Sequence, residues 1–543
     1  MPFSGHVDRF AAEHLPAPDQ MPDVLLDLPE LRYPEKLNAV ERLLDHHIRD
    51  GRGGRRCIVA PGALDWTYED LFHAANRIAR VLVEDLGVVP GARVLLRGAN
   101  TPMLAACWFG VLKAGAIAVT TMPLFREREL RYMIDKAAVS VVLCDSRLTE
   151  ELRAACDGRT DIRIVDFYSE ASDGLEALME PKPPAFHNVE TGAGDVAIIA
   201  FTSGTTGTPK AAMHFHRDLL AVCDTFARHV LHPRADDLFC GSPPLGFTYG
   251  LGGLLLFPLH AGASTLLLDK SGPEDLLHAI GEFGATTLFT APIAYRAMCN
   301  LVERYDVSTL RTCVSAGETL PKSIWEAWRG KTGLKIIDGI GSTEMLHIFV
   351  GSEGDRIRPG STGRVVPGYV AEIHNDDGAP VPVGSVGRLA VKGPTGCKYL
   401  DDARQATYVQ NGWNYPGDAY RVDEDGYFWY VARTDDMIIS AGYNISGPEV
   451  EQALLTHVHV RECAVVAKPD PLHETFIVKA FVVLASTDLA QPAMIDELRE
   501  HCKLQIAPFK APREIEFVTE LPRTESGKLQ RYKLREREQH LPT

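Results

Sequence analysis

Apolar and polar residues alternate along the chain in blocks that predict strands and helices following one another. Thr67 and Asp70 have the spacing of a capping box, and apolar residues then recur at helical spacing from Leu71 to Leu82, which predicts a helix. Runs typical of strands at 93–96, 116–120 and 139–144 alternate with helical patterns at 103–113 and 129–136. Strands separated by helices of this length indicate a parallel sheet that is covered on both faces.

The alternation continues into the second part of the chain. Strands are predicted at 263–268 and 286–290, and helices at 273–283 and 293–304. From about residue 360 the pattern changes to short strands between Gly and Pro residues, at 370–374 and 386–392, which indicates a small β subdomain.

After Arg433 the pattern changes again, to a helix from Pro448, strands at 464–467 and 476–484, and a helix at 494–504. The predicted fold class is therefore α/β. It comprises a large N-terminal domain (1–433) with parallel-rich sheets flanked by helices plus the β subdomain, and a small mobile α+β C-terminal domain (434–543).

One polar segment follows directly on a strand of the kind that is buried on both faces. The apolar run 196–200 leads into TSGTTGTPK at 202–210. Gly204 and Gly207 allow successive backbone N–H groups to turn towards one anion, and Lys210 adds a positive charge. Pro209 stands where the common phosphate loop GxxxxGK[ST] has a glycine, so that motif is excluded. The segment indicates a phosphate cradle, with a flexible surface turn as the alternative.

Two other polar segments follow predicted strands, namely SAGE at 315–318 and DGIGSTE at 338–344. Ligands of open α/β sheets bind beyond the carboxyl ends of the strands. We therefore predict that the three polar segments converge on one rim and form a single ligand site.

Composition and charge exclude several classes of protein. The 543 residues include 45% hydrophobic and 24% charged residues, and the net charge of −16 argues against a nucleic-acid surface. The apolar stretch 251–268 is interrupted by Pro258 and His260, so we interpret it as core and predict no membrane association. The first ten residues lack the features of a secretory signal, which predicts a cytoplasmic protein.

Cysteine and histidine residues give no sign of a structural metal. The eleven cysteines include no CxxC pair, which indicates reduced, mostly buried thiols. His214, His216 and His232 have no carboxylate or cysteine at ligand spacing, which argues against zinc.

Between residues 201 and 528, motifs follow one another in a fixed order: TSGTTGTPK, SPPLGFTYG from Ser242, SAGE, DGIGSTE, YPGD at 415–418, RTDD at 433–436, GYNI at 442–445 and PRTESGK at 522–528. This series resembles that of the adenylate-forming superfamily of acyl-CoA synthetases, luciferases and peptide-synthetase adenylation domains. The resemblance implies ATP, Mg²⁺ and coenzyme A as ligands. It also implies two half-reactions, in which an acid first becomes an acyl-adenylate and the CoA thiol then attacks that mixed anhydride.

The resemblance also implies roles for residues of this sequence. Lys528 would bridge the substrate carboxylate and the α-phosphate, Glu344 would hold Mg²⁺, and Asp418 would accept both ribose hydroxyls. Read without the motifs, the three are an exposed C-terminal lysine, a solvated loop carboxylate and a turn aspartate. The full set implied for ATP is Thr202, Ser203, Gly204, Thr205, Thr206, Gly207, Lys210, Gly317, Glu318, Asp338, Gly339, Thr343, Glu344, Asp418, Arg433 and Lys528.

The resemblance places the change between half-reactions at the junction of the two predicted domains. Asp435 would be the catalytic hinge, and its rotation would exchange Lys528 for the CoA-binding loop that contains Gly442 and Tyr443. The chain departs from the family pattern at Ile439, where a lysine is often found. Smaller departures are Ala211 and Ala432, which replace glycines.

The segment DGIGSTEMLHIF at 338–349 resembles the benzoate-type aryl-CoA ligases, which implies a small aromatic carboxylate as substrate. Thr248 stands where benzoate ligases tend to carry a small apolar residue, and its hydroxyl could pair with an ortho amine or hydroxyl. The N-terminal segment and LFTAPIAYRAM resemble 2-aminobenzoate-CoA ligases, so 2-aminobenzoate is the predicted acid. The residues implied for the acid are Thr248, Tyr249, Gly250, Gly341, His347 and Ile348.

Other functions stay open on the sequence. They are a benzoate- or hydroxybenzoate-CoA ligase, an aryl-acid adenylation enzyme that loads a carrier protein, a non-catalytic AMP-sensing relative, and a luciferase-like enzyme with an oxidative second step. The sequence is also compatible with a homodimer.

Overall fold

The computed structural model describes residues 3–62, 65–202, 209–318, 320–433, 437–440, 443–470, 475–522 and 531–539. Its α-helices are Phe10–Glu13, His46–Arg49, Tyr68–Arg80, Pro102–Lys113, Glu127–Lys136, Thr149–Ala155, Leu175–Met179, His216–Val222, Thr248–Leu251, Phe257–Ala261, Pro273–Phe283, Pro292–Cys299, Lys322–Thr332, Gln405–Tyr408, Gly447–Leu455, Pro492–Gln505 and Arg531–Gln539. Wider π-type turns extend some of them, at Glu41–Asp45, Val81–Asp85, Cys223–Leu231 and Gly252–Leu256.

Two large sheets form the N-terminal part. Sheet A has, in spatial order, Arg364–Val365, Ile348–Gly351, Ile336–Gly341, Thr312–Ser315, Thr287–Thr290, Leu238–Gly241, Ser264–Leu266, Arg56–Val59 and Trp66–Thr67. Sheet B has Arg163–Phe167, Val141–Asp145, Arg93–Arg97, Ile117–Thr121, Val196–Thr202 and Lys210–Phe215. The central pairs of both sheets are parallel and the outer pairs at one or both ends are antiparallel. The parallel-rich α/β prediction is confirmed.

Three smaller sheets follow. Sheet C, the predicted β subdomain, contains Val409–Gln410, Trp413–Asn414, Val386–Lys392, Asp418–Val422 and Phe428–Arg433, with Val370–His374 beside the third of these. Sheet D is the hairpin Met437–Ser440 and Tyr443–Ser446. Sheet E contains Val460–Asp470, Thr475–Leu484 and Glu514–Phe517. We call sheets D and E with their helices the C-terminal unit.

The alternation of side chains along the strands explains how the core is divided. Val94 and Leu96 on one face of sheet B belong to a large apolar cluster that also contains Phe239 and Phe289 of sheet A. Leu95, between them, points into a second cluster on the opposite face. The helix Pro102–Lys113 is buried along its whole length, because it packs inside the cluster that joins both sheets.

Two local predictions, a helix cap and the state of the cysteines, are confirmed. Thr67 caps the helix Tyr68–Arg80 in a capping box with Asp70, and all eleven cysteines are buried and unpaired. Within the part of the chain that the structure describes, no helix has the length and apolar character needed to cross a membrane.

Three local predictions need correction. Residues 338–341 are strand rather than loop, because Ile336–Gly341 extends into an antiparallel hairpin with Ile348–Gly351. The helix predicted at 293–304 ends at Cys299, and a short 3₁₀ turn follows at Val302–Arg304. The polar segments at 202–210 and 315–318 follow strands of different sheets, B and A, rather than of one sheet.

Candidate active site

A cavity of about 320 Å³ lies where the strand ends of sheets A and B face each other. The three polar segments predicted from the sequence all contribute to its lining, through Thr202 and Pro209, through Ala316 and Gly317, and through the range 341–343. The convergence arises between two sheets rather than along the edge of one. A cavity of this size, with apolar walls and few polar groups, suits a small flat molecule.

Aromatic rings surround His347, which lines the cavity together with Tyr249. This side chain is 3% exposed. Its ring centroid lies 4.6 Å from that of Phe257, 5.4 Å from that of Phe226 and 5.7 Å from that of Tyr249. The Tyr249 hydroxyl donates to two main-chain carbonyls, those of Thr290 and Val314, which leaves its ring face as the part that shapes the cavity.

The neutral imidazole of His347 has unused hydrogen-bonding capacity. Among the described residues, neither ring nitrogen has a hydrogen-bond partner of normal geometry. Burial lowers the pKa of His347 to about 3. A neutral imidazole has one N–H donor and one acceptor nitrogen, so the ring can still take a hydrogen-bond partner.

Gly252 fixes where this ring can lie. A Cβ atom added at Gly252 would stand 2.3 Å from His347 Cδ2, and the glycine therefore lets the imidazole pack directly against the helix backbone. Gly252 was not among the residues predicted for the site. A glycine inside an apolar stretch carries no sequence signal for the ring it accommodates.

The cavity lining includes five of the six residues predicted for the acid: Thr248, Tyr249, Gly341, His347 and Ile348. Tyr443 of the C-terminal unit lines it as well. Gly250 does not line it within the described part of the chain. Its role is close packing, since an added Cβ would stand 2.1 Å from the carbonyl oxygen of Pro244.

A compact charged cluster lies next to the cavity. The ammonium of Lys210 is 3.2 Å from Glu344 Oε1. It also lies over two aromatic rings, 5.1 Å from the centroid of Tyr399 and 5.7 Å from that of Tyr408. The Tyr399 hydroxyl donates to the same Glu344 oxygen. Burial works against ionisation of Glu344, but Lys210 and Tyr399 hold its pKa below the ordinary value.

Buried groups behind this cluster fix the main chain that carries it. His214 Nε2 is 2.8 Å from the carbonyl oxygen of Thr343, directly before Glu344. The other side of the His214 ring faces Asp218, which accepts a 2.9 Å bond from the Lys398 ammonium. Burial lowers the pKa of His214. The contact with the Thr343 carbonyl lets His214 hold the main chain of this loop.

Two buried aspartates predicted for nucleotide binding lie in strands. Asp338 is in register with Ser315 of the neighbouring strand, and its Oδ1 has no hydrogen-bond partner among the described residues. Burial raises the pKa of Asp338 well above its ordinary range. Asp418 begins a strand of sheet C and pairs with Arg433 across the ladder. Gly339, beside Asp338, packs against the side chain of Ile348.

The remaining predicted residues divide into two groups. Glu318 is half-buried beside Gly317, which has a left-handed backbone with φ 95°. The others lie outside the described residues, as does the side chain of Arg433: Ser203, Gly204, Thr205, Thr206, Gly207, Asp435, Gly442 and Lys528.

The sequence did not identify several residues that the fold brings to the site. Tyr399 and Tyr408, which flank Lys210, come from a segment almost 200 residues later in the chain. Glu129 and Lys510 both line the cavity and come from positions about 380 residues apart. No local pattern distinguishes these residues, because each is recruited by a tertiary contact.

Comparison with known proteins gives a consistent result. The profile of the family described as AMP-binding enzyme matches residues 45–398, and that of the AMP-binding enzyme C-terminal domain matches residues 449–528. A benzoate–CoA ligase of Thauera aromatica is 33% identical over 515 residues, which cover 93% of this chain and 97% of that protein.

Two solved structures are similar over most of their length. The anthranilate CoA ligase AuaEII, solved in complex with anthranoyl-AMP, is 33% identical with a TM-score of 0.73, and the match covers 94% of this chain and 99% of that one. The amide bond synthetase McbA from Marinactinospora thermotolerans is 27% identical with a TM-score of 0.82, and the match covers 92% and 99%.

Proposed function

This chain belongs to the family of AMP-binding enzymes, in its benzoate–CoA ligase-like branch, and from that premise we propose that it is a 2-aminobenzoate–CoA ligase. As a member of that branch it is an AMP-forming acid–thiol ligase that uses ATP and coenzyme A with an aromatic carboxylic acid. The amino substituent on the acid is the finer step, and it rests on the cavity.

His347 carries the proposal of an ortho-substituted acid. Its two buried ring nitrogens have no hydrogen-bond partner of normal geometry among the described residues, and the ring lines the cavity beside Thr248. A buried polar group without a partner is unfavourable, so a ligand that supplies the partner gains affinity. An ortho amine can donate to the acceptor nitrogen of His347 or to Thr248 Oγ1, whereas unsubstituted benzoate can do neither. The solved relative with anthranoyl-AMP is consistent with this choice.

We further propose that the charged cluster is the nucleotide side of the site. Lys210 and Glu344 neutralise each other at 3.2 Å in this structure, and both would exchange partners when ATP enters. Lys210 would then contact a phosphate oxygen, with Ser203, Thr205 and Thr206 as neighbouring donors. Asp338 Oδ1, which has no hydrogen-bond partner among the described residues, can accept from the adenine amine. Asp418 would accept from the ribose hydroxyls.

The residues present fit a magnesium ion. Glu344 offers one carboxylate beside the proposed phosphate position, and Mg²⁺ is usually held by one or two carboxylates, substrate phosphates and water. When bound, the ion would neutralise charge on the phosphate oxygens. Tyr399 orients Glu344 for that contact by donating to Oε1.

We propose a reaction in two steps. In the first step a carboxylate oxygen of the acid bonds to the α-phosphorus of ATP while the bond from that phosphorus to pyrophosphate breaks. In the second step the thiol sulfur bonds to the acyl carbon, AMP leaves and the thiol proton passes to solvent. We propose Lys528 as the cation of the first step, Tyr443 with Gly442 for the second, and a domain boundary at 433/434 with Asp435 as hinge.

A substrate panel tests the proposal. Pyrophosphate release is measured with 2-aminobenzoate, benzoate, 2-hydroxybenzoate, 4-hydroxybenzoate and a short fatty acid, at equal concentrations with Mg²⁺ and ATP. The proposal predicts the highest kcat/KM for 2-aminobenzoate. A clearly higher value for benzoate or for the fatty acid would refute the assignment of the acid.

The thiol acceptor is tested separately. Each activated acid is supplied with free coenzyme A or with a phosphopantetheine-loaded carrier protein, and thioester formation is followed by mass spectrometry. We expect the free-CoA thioester. Transfer to the carrier protein alone would identify an adenylation enzyme of the carrier-loading type.

A further inference from the structure

A buried ion-pair cluster joins the C-terminal unit to sheet B's helical layer. The Lys510 ammonium is 2.7 Å from Glu129 Oε1 and 2.7 Å from Glu449 Oε1. The three side chains are between 4% and 6% exposed. Glu129 belongs to the helix Glu127–Lys136 of the N-terminal part, whereas Lys510 and Glu449 both belong to the C-terminal unit. We call these three residues the docking cluster.

Glu129 is held in place before it meets Lys510. Its Oε2 accepts a 2.9 Å hydrogen bond from the backbone N–H of Arg126, which is the N-cap of the helix. The other oxygen, Oε1, is thereby directed at Lys510, and the backbone N–H of Ala507 lies 3.5 Å from the same atom. One carboxylate thus caps a helix of the N-terminal part and receives the C-terminal unit.

The docking cluster borders the proposed acid site. Glu129, Phe509 and Lys510 line the same cavity as His347. Phe509 stacks on Tyr443, with the ring centroids 4.1 Å apart and an angle of 30° between the ring planes. The ring centroid of Tyr443 is 6.3 Å from that of Phe247 in the N-terminal part. Docking of the C-terminal unit therefore places Tyr443 at the cavity.

The charges show which member of the cluster responds to docking. Burial alone would lower the pKa of Lys510, but Glu129 and Glu449 raise it. Burial raises the pKa of Glu449, with Glu129 adding to the effect and Lys510 and Arg128 opposing it. Lys510 keeps the partner Glu449 within its own unit whether or not the unit is docked. Glu129 is the partner that Lys510 gains by docking. Loss of this ion pair leaves the contacts within each part in place.

We propose that Glu129 and Lys510 are positioning residues, whose buried ion pair docks the C-terminal unit so that Tyr443 and Phe509 close the cavity for attack by the thiol. The inference rests on the proposed function for the identity of the step that is served. It assigns a role to two residues that lie in none of the sequence motifs. In the arrangement that contains this pair Tyr443 lines the cavity, so the pair would favour the half-reaction that we assign to Tyr443, the second, over the first.

The variant Glu129→Gln isolates the pair. The amide oxygen can still accept from Arg126 N–H and keep the helix cap, while the amide nitrogen places a donor against the Lys510 ammonium. Glu127→Gln is the matched control, because Glu127 lies two residues earlier in the same helix, is half exposed and pairs only locally with Arg131 among the described ion pairs. Lys510→Arg keeps the charge and Lys510→Met removes it.

The two half-reactions are measured apart in the full-length enzyme. Adenylate formation is followed by isotope exchange between pyrophosphate and ATP, and thioester formation by single turnover after CoA is added to the preformed acyl-adenylate complex. Glu129→Gln and Lys510→Met should slow the second step at least tenfold and leave the exchange rate within twofold. Glu127→Gln should leave both steps close to the wild-type rates, and Lys510→Arg, which keeps the charge, should retain more of the second step than Lys510→Met.

Amide hydrogen exchange reports on docking without any substrate. Residues 507–510 should exchange at least tenfold faster in Glu129→Gln than in Glu127→Gln, with the sheets of both parts unchanged. Equal loss of rate in both half-reactions would overturn the proposal, as would an unchanged rate of amide hydrogen exchange at residues 507–510. If the wild-type enzyme forms no CoA thioester, the proposed function fails, and the hydrogen-exchange comparison still decides whether the pair docks the unit.

Discussion

Replacing His347 by leucine tests the most specific feature of the proposed acid site. Leucine has a similar volume and no polar atoms, so the change removes both ring nitrogens while it largely fills the same space. In the wild type those nitrogens are buried and have no hydrogen bond of normal geometry to any described residue, and the His347 side chain lines the cavity. We expect an ortho amine of the acid to donate to one of them.

The magnitude follows from the value of one buried hydrogen bond. A net contribution of about 0.5–1.5 kcal/mol corresponds to a factor of roughly 2 to 13 in kcat/KM. The variant should therefore lower the ratio of kcat/KM for 2-aminobenzoate to that for benzoate by this factor. Benzoate serves as the internal control, because it has no ortho group and should be used as well as before or better.

The assay is pyrophosphate release at saturating ATP with each acid varied in turn. A ratio that stays within error of the wild-type value would refute a contact between His347 and the ortho substituent. Equal losses for both acids would show instead that His347 shapes the cavity by packing alone. A thermal unfolding measurement on the ligand-free variant excludes a general loss of structure as the cause.

Three further predictions follow from the same contacts. Tyr399→Phe removes a hydrogen bond to the carboxylate of Glu344, which costs about 1.5–3 kcal/mol. The isotope exchange between pyrophosphate and ATP should therefore slow roughly 10- to 150-fold and need a higher Mg²⁺ concentration. An unchanged exchange rate would contradict the role given to Tyr399. Gly252→Ala places a Cβ 2.3 Å from His347 Cδ2 and should raise KM for the acid while KM for ATP stays constant. A higher KM for ATP with an unchanged KM for the acid would count against the cavity as the acid site. Burial lowers the pKa of both His216 and His347 to about 3. The unfolded chain therefore binds more protons than the folded chain below about pH 6.5, and acidification lowers the free energy of unfolding. The loss is about 2 kcal/mol for each histidine between pH 7.5 and pH 5. Urea unfolding at both pH values should show half of this combined loss disappearing in His347→Leu, and an identical pH dependence in the variant would show that the imidazole is not buried in its neutral form.

Local patterns predicted the elements near the site because the determinants are local. Thr67 caps its helix through a residue three positions away, and the strand Val196–Thr202 follows from an unbroken apolar run. The extension of Ile336–Gly341 as a strand was not predictable in this way. Its polar and glycine residues are typical of a loop, and only pairing with Ile348–Gly351 holds them extended.

The motifs of the sequence determined the family and much of the candidate site, since ligand-binding segments keep their residue types in order along the chain. Only the tertiary structure decided how the segments combine. It brought strand ends of two different sheets to one cavity, buried the His347 ring at that cavity, and paired Glu129 with Lys510 across about 380 residues. The physical reason is that burial and charge pairing depend on distances in space, which a pattern of neighbours along the chain does not specify.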